Sequence, residues 1–127
     1  MINKFILWID DIQNWAGITA ANLHIIAEQN GINLIVMPQL NGENLDQILM
    51  MYPFDVIVMD FQMEPFNGDK YIRDIREHLH LDTCPILFYT QNPDVDLHAK
   101  VPNLVNVHIT NRRGLEDMIK SYLMPGL

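Results

Sequence analysis

A chain of 127 residues suits a single domain, and its 49% hydrophobic and 19% charged composition is that of a globular fold, not a disordered one. The lone Cys84 excludes an internal disulfide and a secreted disulfide scaffold. Eight basic against sixteen acidic residues give a net charge of −8, which disfavours nonspecific nucleic-acid binding because phosphate would be repelled.

No apolar run approaches the ~20 residues of a membrane span, and no basic segment precedes a signal-like core. A cytoplasmic product with one domain over residues 1–127, and neither membrane nor nucleic acid as partner, is therefore expected.

The elements alternate strand and helix from the start. Phe5-Ile6-Leu7-Trp8-Ile9 belongs to a first strand over residues 4–9, which runs straight into Asp10-Asp11. Short apolar runs of this kind read as strands buried on both faces of a parallel sheet. A helix from Ile12 to Gln29 follows, with Trp15, Ile18, Ala21, Asn22, Ile25 and Ile26 at mostly helical spacing, and Asn30-Gly31 stops it. Ile32 to Met37 forms the second strand, ended by Pro38, and a short helix from Glu43 to Tyr52 is closed by Pro53. The third strand, Asp55 to Met59, delivers Asp60. After the turn-rich Glu64-Pro65-Phe66-Asn67-Gly68, a helix with Ile72, Ile75 and Leu79 inward reaches His80. Pro85 to Tyr89 is the fourth strand and ends in Thr90.

Pro93 and Pro102 bracket a polar stretch that leaves room only for a short helix over residues 95–100. From Leu104 to Thr110, apolar Val105, Val107 and Ile109 alternate with Asn106, His108 and Thr110, the period of an edge strand with one wetter face. A last helix spans Leu115 to Leu123. Strands alternating with helices make a three-layer α/β sandwich. Right-handed crossovers favour a doubly wound five-stranded parallel sheet of flavodoxin-like order 2-1-3-4-5.

That order makes strands one and three neighbours and brings Asp10, Asp11 and Asp60 to the carboxyl edge, where ligands bind in such sheets. Two carboxylates roughly 4 Å apart cost about 4 kcal/mol at an effective dielectric of about 20. A hard divalent cation with oxygen ligands offsets that cost. The plain alternatives are helix capping and first-turn charge for Asp10-Asp11 and capping of the next helix for Thr90. Asn111 could likewise do no more than cap the last helix. The scattered histidines, His78 and His80 among them, read as solvated. Cys84 reads as a small buried filler, and Trp8 and Trp15 as core residues, Trp15 near enough to the site to report on it.

Taken together, Ile9-Asp10-Asp11, Val58-Met59-Asp60 with Met63 and Gly68 beyond it, and Pro85 to Thr90 resemble a response-regulator receiver domain of two-component signalling, essentially end to end. The resemblance implies that Asp60 is the phosphoacceptor and that Mg²⁺ is held by Asp10, Asp11, Asp60 and the Gln62 carbonyl, with Asp11 a direct ligand and Asp10 acting through water. It makes Thr90 the switch hydroxyl and implies a histidine kinase or phosphotransfer protein as donor. The output is then a docking surface for a downstream protein target, on a monomer or weak dimer with no enzyme activity beyond its own phosphotransfer and dephosphorylation.

The family's strand-five Lys-Pro is missing. Thr110-Asn111-Arg112-Arg113 stands there, with Asn111 in the Lys position and Arg112 or Arg113 left to supply the charge. Three residues earlier His108 occupies the place of the aromatic switch, either as a smaller titratable one or facing solvent. These departures keep open a pseudo-receiver, an interaction module not regulated by phosphorylation. Since the sequence stops at Leu127, action by contact or excision from a longer protein is expected. An aspartate-nucleophile phosphatase fits poorly, because Gln62 replaces the usual acid/base Asp. An electron carrier of flavodoxin type fits poorly too, because Asp-Asp-Ile-Gln repels phosphate.

Overall fold

The computed structural model describes residues 1–124; residues 125–127, counted in the domain expected from the sequence, lie outside them. In chain order the elements are β1 (Ile2–Ile9), α1 (Gln13–Gln29), β2 (Ile32–Gln39), α2 (Leu45–Met51), β3 (Val56–Asp60) and α3 (Gly68–Arg73). A π-helical turn (Asp74–His78), β4 (Ile86–Thr90), α4 (Leu97–Lys100), β5 (Val107–Asn111) and α5 (Arg112–Leu123) complete them. The strands form one five-stranded sheet of order β2-β1-β3-β4-β5, parallel throughout. The expected topology is the observed one.

Helices cover both faces, so alternate residues of each central strand feed separate cores. Ile6, Trp8, Val56, Val58, Leu87 and Tyr89 pack against α1 and α5. Leu7, Ile9, Ile57, Met59, Ile86 and Phe88 pack against α2, α3 and α4. Every residue of β3 and β4 is buried, which explains why those strands read as unbroken apolar runs.

The structure corrects several sequence-based boundaries. Pro38 does not end β2, which continues through it to Gln39 with Pro38 opposite Trp8. As an edge strand, β2 accommodates a residue without an N–H. β5 begins at Val107, not Leu104, because Asn103 and Asn106 hold positive φ angles of 64° and 56° that break an extended run. On α1 the buried residues are Ala16, Leu23 and Ala27, whereas Ile18 and Ile25 are 68% and 58% exposed. Bulk misled there, since small Ala faces let the helix sit close to the sheet.

The helix expected to reach His80 stays regular only to Arg73 and widens into the π-turn. Arg76, within that turn, is buried. Its guanidinium donates to the carbonyls of Val105 at 2.7 Å, Cys84 at 2.7 Å and Asn106 at 3.0 Å, and also to that of Leu81. This fork ties the π-turn to the segments entering β4 and β5.

Candidate functional site

Asp10 follows Ile9 at the tip of β1, and Asp60 is the last residue of β3; Ile9 and Met59 are paired in register, so the two aspartates lie side by side. One carboxylate oxygen from each of Asp10, Asp11 and Asp60 lies within 4.8 Å of the others. Asp10 and Asp60 are buried and Asp11 is exposed, so the cluster opens to solvent through Asp11. Burial first, then the charges of Asp10 and Asp11, push the Asp60 carboxyl up to about 7, while Arg112 opposes the shift. The three share a cleft that is unfavourable when all are ionised.

Asp10 is fixed from two sides. Its Oδ1 accepts from the Ile12 N–H at 2.7 Å, turning the chain into α1, and its Oδ2 accepts from the Tyr89 hydroxyl. Asp10 is not the N-cap of α1, a place taken by Ile12 without a side-chain cap; it braces the turn that leads into the helix and belongs to the carboxylate cluster. Trp8 Nε1 in turn donates to the Tyr89 hydroxyl at 3.4 Å. Burial, and then the bond to Asp10, hold the Tyr89 phenol far above its usual range, so it stays a donor. Tyr89 is the functional residue that sequence reasoning missed. A tyrosine one residue from the tip of an otherwise aliphatic and aromatic strand needs a partner for its hydroxyl, and that was the available signal.

The loop after β3 is drawn back against the strand tip. Phe61 N–H donates to the Tyr89 carbonyl at 2.9 Å, and Gly68 N–H to the Phe61 carbonyl at 2.8 Å. A Cβ on Gly68 would lie 2.1 Å from the Asp60 carbonyl oxygen, so only glycine fits. Gln62, which follows Phe61 in this loop, is exposed.

The remaining candidates separate. Thr90 is buried, and its Oγ1 accepts from the Asn92 N–H at 3.1 Å, bracing the turn after β4. Asn111 pairs in register with Thr90, but its side chain is the N-cap of α5, accepting from the Gly114 N–H at 2.9 Å. Arg112 lies 4.6 Å over the Trp15 ring, whereas Arg113 is exposed. His108 packs on Tyr122 with ring centroids 5.2 Å apart and bonds Asn106 Oδ1 at 2.8 Å. His78 and His80 are exposed, as expected. Cys84 is half-buried, not buried; desolvation pushes its thiol up to about 11, which disfavours the thiolate, and its Sγ lies 3.4 Å from the Phe54 carbonyl. The Trp15 ring lies 5.5 Å from that of Tyr89, tilted by 39°, beside the site as expected.

A doubly wound parallel α/β sheet with a polar cleft at the switch between β1 and β3 is the class that these features define. No family model matches the sequence, and no curated protein matches it. Solved structures do. The phosphorylated cyanobacterial phytochrome response regulator RcpA superposes with a TM-score of 0.74 at 17% identity, over 98% of this chain and 97% of that one. The Mn²⁺-bound response regulator Rcp1 gives 0.71 at 18% identity, over 98% and 96%. The chemotaxis response regulator CheY4 of Vibrio cholerae gives 0.71 at 17%, over 97% and 100%. The chain has the receiver-domain fold of response regulators, as the sequence motifs lead one to expect. Among the described residues, no helix is long and apolar enough to cross a membrane.

Proposed function

We propose that this chain is a phosphoacceptor receiver that takes a phosphoryl group on Asp60 in the presence of Mg²⁺ and thereby alters a protein-docking surface. The convergence of Asp10, Asp11 and Asp60 carries the reading, since their oxygens crowd within 4.8 Å at adjacent strand tips. The donor set fits a hard dication. It offers carboxylates and an open side at Asp11, which suits an ion that keeps several waters, and the Gln62 carbonyl would complete the protein ligands. Asp11 and Asp60 would be direct ligands. Asp10, with Oδ1 and Oδ2 both accepting hydrogen bonds, would act through water. Mg²⁺ supplies charge neutralisation at the transferring oxygens.

Asp60 is the nucleophile. A carboxylate oxygen forms a bond to phosphorus as the phosphorus–nitrogen bond of a phosphohistidine donor breaks, the imidazole takes up a proton, and an acyl phosphate remains on Asp60. The structurally related RcpA has been solved phosphorylated and Rcp1 with Mn²⁺ bound, which supports the same chemistry here. The donor would be a histidine kinase or phosphotransfer protein, and the output contact with a downstream protein. Thr90 becomes the switch hydroxyl by donating its O–H to a phosphoryl oxygen, a donor that the bond its Oγ1 accepts from the Asn92 N–H does not use.

A second reading is an interaction module that never becomes phosphorylated. Two observations favour it: Asn111 is occupied as a helix cap, and His108 is packed against Tyr122. Incubation with a small phosphodonor and Mg²⁺ separates the two. The phosphoacceptor reading predicts a mass gain of one phosphoryl group, removed by hydroxylamine and absent in Asp60→Asn. An unmodified chain that still binds a protein partner would establish the second reading.

A further inference from the structure

A cavity of about 410 Å³ lies between the start of α2 and one face of α3 and the π-turn. That is within the roughly 300–1,000 Å³ of ligand pockets. Buried Leu45, Tyr71 and Ile75 form its floor, and half-exposed Phe66 stands beside them with its ring edge-on to that of Tyr71. Tyr71 is only 3% exposed, and its hydroxyl is buried with no hydrogen-bond partner among the described residues. Unpaired buried hydroxyls are rare and costly. Gly42 packs so closely on the Tyr71 ring that a Cβ there would lie 2.2 Å from it, and the Gly42 N–H that faces the phenol oxygen is itself a donor. The missing partner is therefore an acceptor. Lys70 lines the same cavity, with Nζ 4.6 Å from the Phe66 ring centre and 5.3 Å from that of Tyr71. Asp74 Oδ2, at 2.9 Å, takes one of its three N–H donors. At the rim Glu43 and Asp46 are exposed, and neither has a basic side chain within 4.0 Å among the described residues.

We propose that this cavity binds a small zwitterion with an apolar body, of the chemical class of a hydrophobic α-amino acid. Its carboxylate accepts from the Tyr71 hydroxyl and the Lys70 ammonium, its side chain covers Leu45 and Ile75, and its ammonium group meets Glu43 and Asp46. The lining selects for both charges at once. A carboxylate without an ammonium is repelled by the acidic rim. An amine without a carboxylate leaves the Tyr71 proton with no acceptor and brings a second cation to Lys70. An apolar floor with a few placed polar groups is the usual build of a small-molecule site. The cavity shares no lining residue with the carboxylate cluster, so the proposal does not rest on the phosphoacceptor reading.

The full chain is titrated by calorimetry with phenylalanine, with 3-phenylpropanoate, which lacks the ammonium, and with 2-phenylethylamine, which lacks the carboxylate. Phenylalanine should bind saturably at one site with a dissociation constant of about 1 mM or tighter, and each half-analogue at least about tenfold more weakly. Tyr71→Phe should weaken phenylalanine about tenfold, yet the unliganded variant should be no less stable than the parent in urea. The change removes a hydroxyl that gains its acceptor only with the ligand, whereas a hydroxyl already bonded within the fold would lose stability. Glu43→Gln combined with Asp46→Asn should weaken phenylalanine at least about threefold and strengthen 3-phenylpropanoate. Glu77→Gln, exposed and outside the cavity, should change neither affinity by more than about twofold. No saturable phenylalanine binding in the parent overturns the proposal. So do half-analogues that bind as tightly as phenylalanine, or a Tyr71→Phe chain that is destabilised and binds phenylalanine unchanged.

Discussion

Asp60 sets the chemistry of single residues here, and its burial among like charges has a stability consequence with a definite sign. The folded carboxyl titrates at about 7 and the unfolded one at 3.8, so the unfolded chain sheds its proton first as pH rises. Stability therefore falls between those two values and levels off above the upper one. Asp60→Asn should be more stable than the parent at pH ~8 by on the order of 2–4 kcal/mol and no different at pH ~4, read from urea unfolding at both. Saturating Mg²⁺ should narrow the gap at the higher pH; a variant destabilised at both pH values would contradict the crowded cleft. Tyr89→Phe leaves Asp10 Oδ2 without its donor and should cost about 1–3 kcal/mol in the same assay. An unchanged midpoint would mean that water reaches Asp10 and that Tyr89 holds nothing in place.

Among the elements, the π-turn after α3 is the least expected and the most testable. Arg76 has no carboxylate partner in hydrogen-bond reach among the described residues, and it binds the chain through carbonyls of Leu81, Cys84, Val105 and Asn106. Arg76→Met keeps the apolar stem and removes the fork, so it should lower stability by roughly 3 kcal/mol. It should also speed amide exchange at Ile86, whose N–H donates to the Asn106 carbonyl at 3.1 Å. Normal protection there would show that the loops hold without it. Ile18→Lys with Ile25→Lys should stay within about 0.5 kcal/mol of the parent, since both point to solvent. A large loss would put them back in the core.

These elements also mark what the sequence could and could not reveal. β3, β4 and the second half of β1 were legible because, up to Met59, Tyr89 and Ile9, their buried residues are apolar without a break. The buried face of α1 was not, because Ala16 and Ala27 carry little bulk and Ile18 and Ile25 mimic their spacing from the outside. Arg76 was illegible in a different way: a buried arginine held by carbonyls leaves no paired acid in the sequence to betray it.

At the scale of the whole molecule, topology does the work that no local motif could. Asp11 and Asp60 are far apart in sequence, and only the order β2-β1-β3-β4-β5 sets their strand tips together. That convergence was legible because right-handed crossovers leave few arrangements for alternating strands and helices. The Tyr89–Asp10 bond and the Trp15–Arg112 stack were not, since both depend on how side chains meet across the layer facing α1 and α5. The most direct test of the account is a Mg²⁺ titration of the parent chain and Asp11→Ala, followed by tryptophan fluorescence. Trp15 packs against the tyrosine that bonds Asp10, so one saturable change in emission is expected in the parent and none in the variant. An equal response in both, or a flat trace in the parent, would contradict a dication shared between the strand tips.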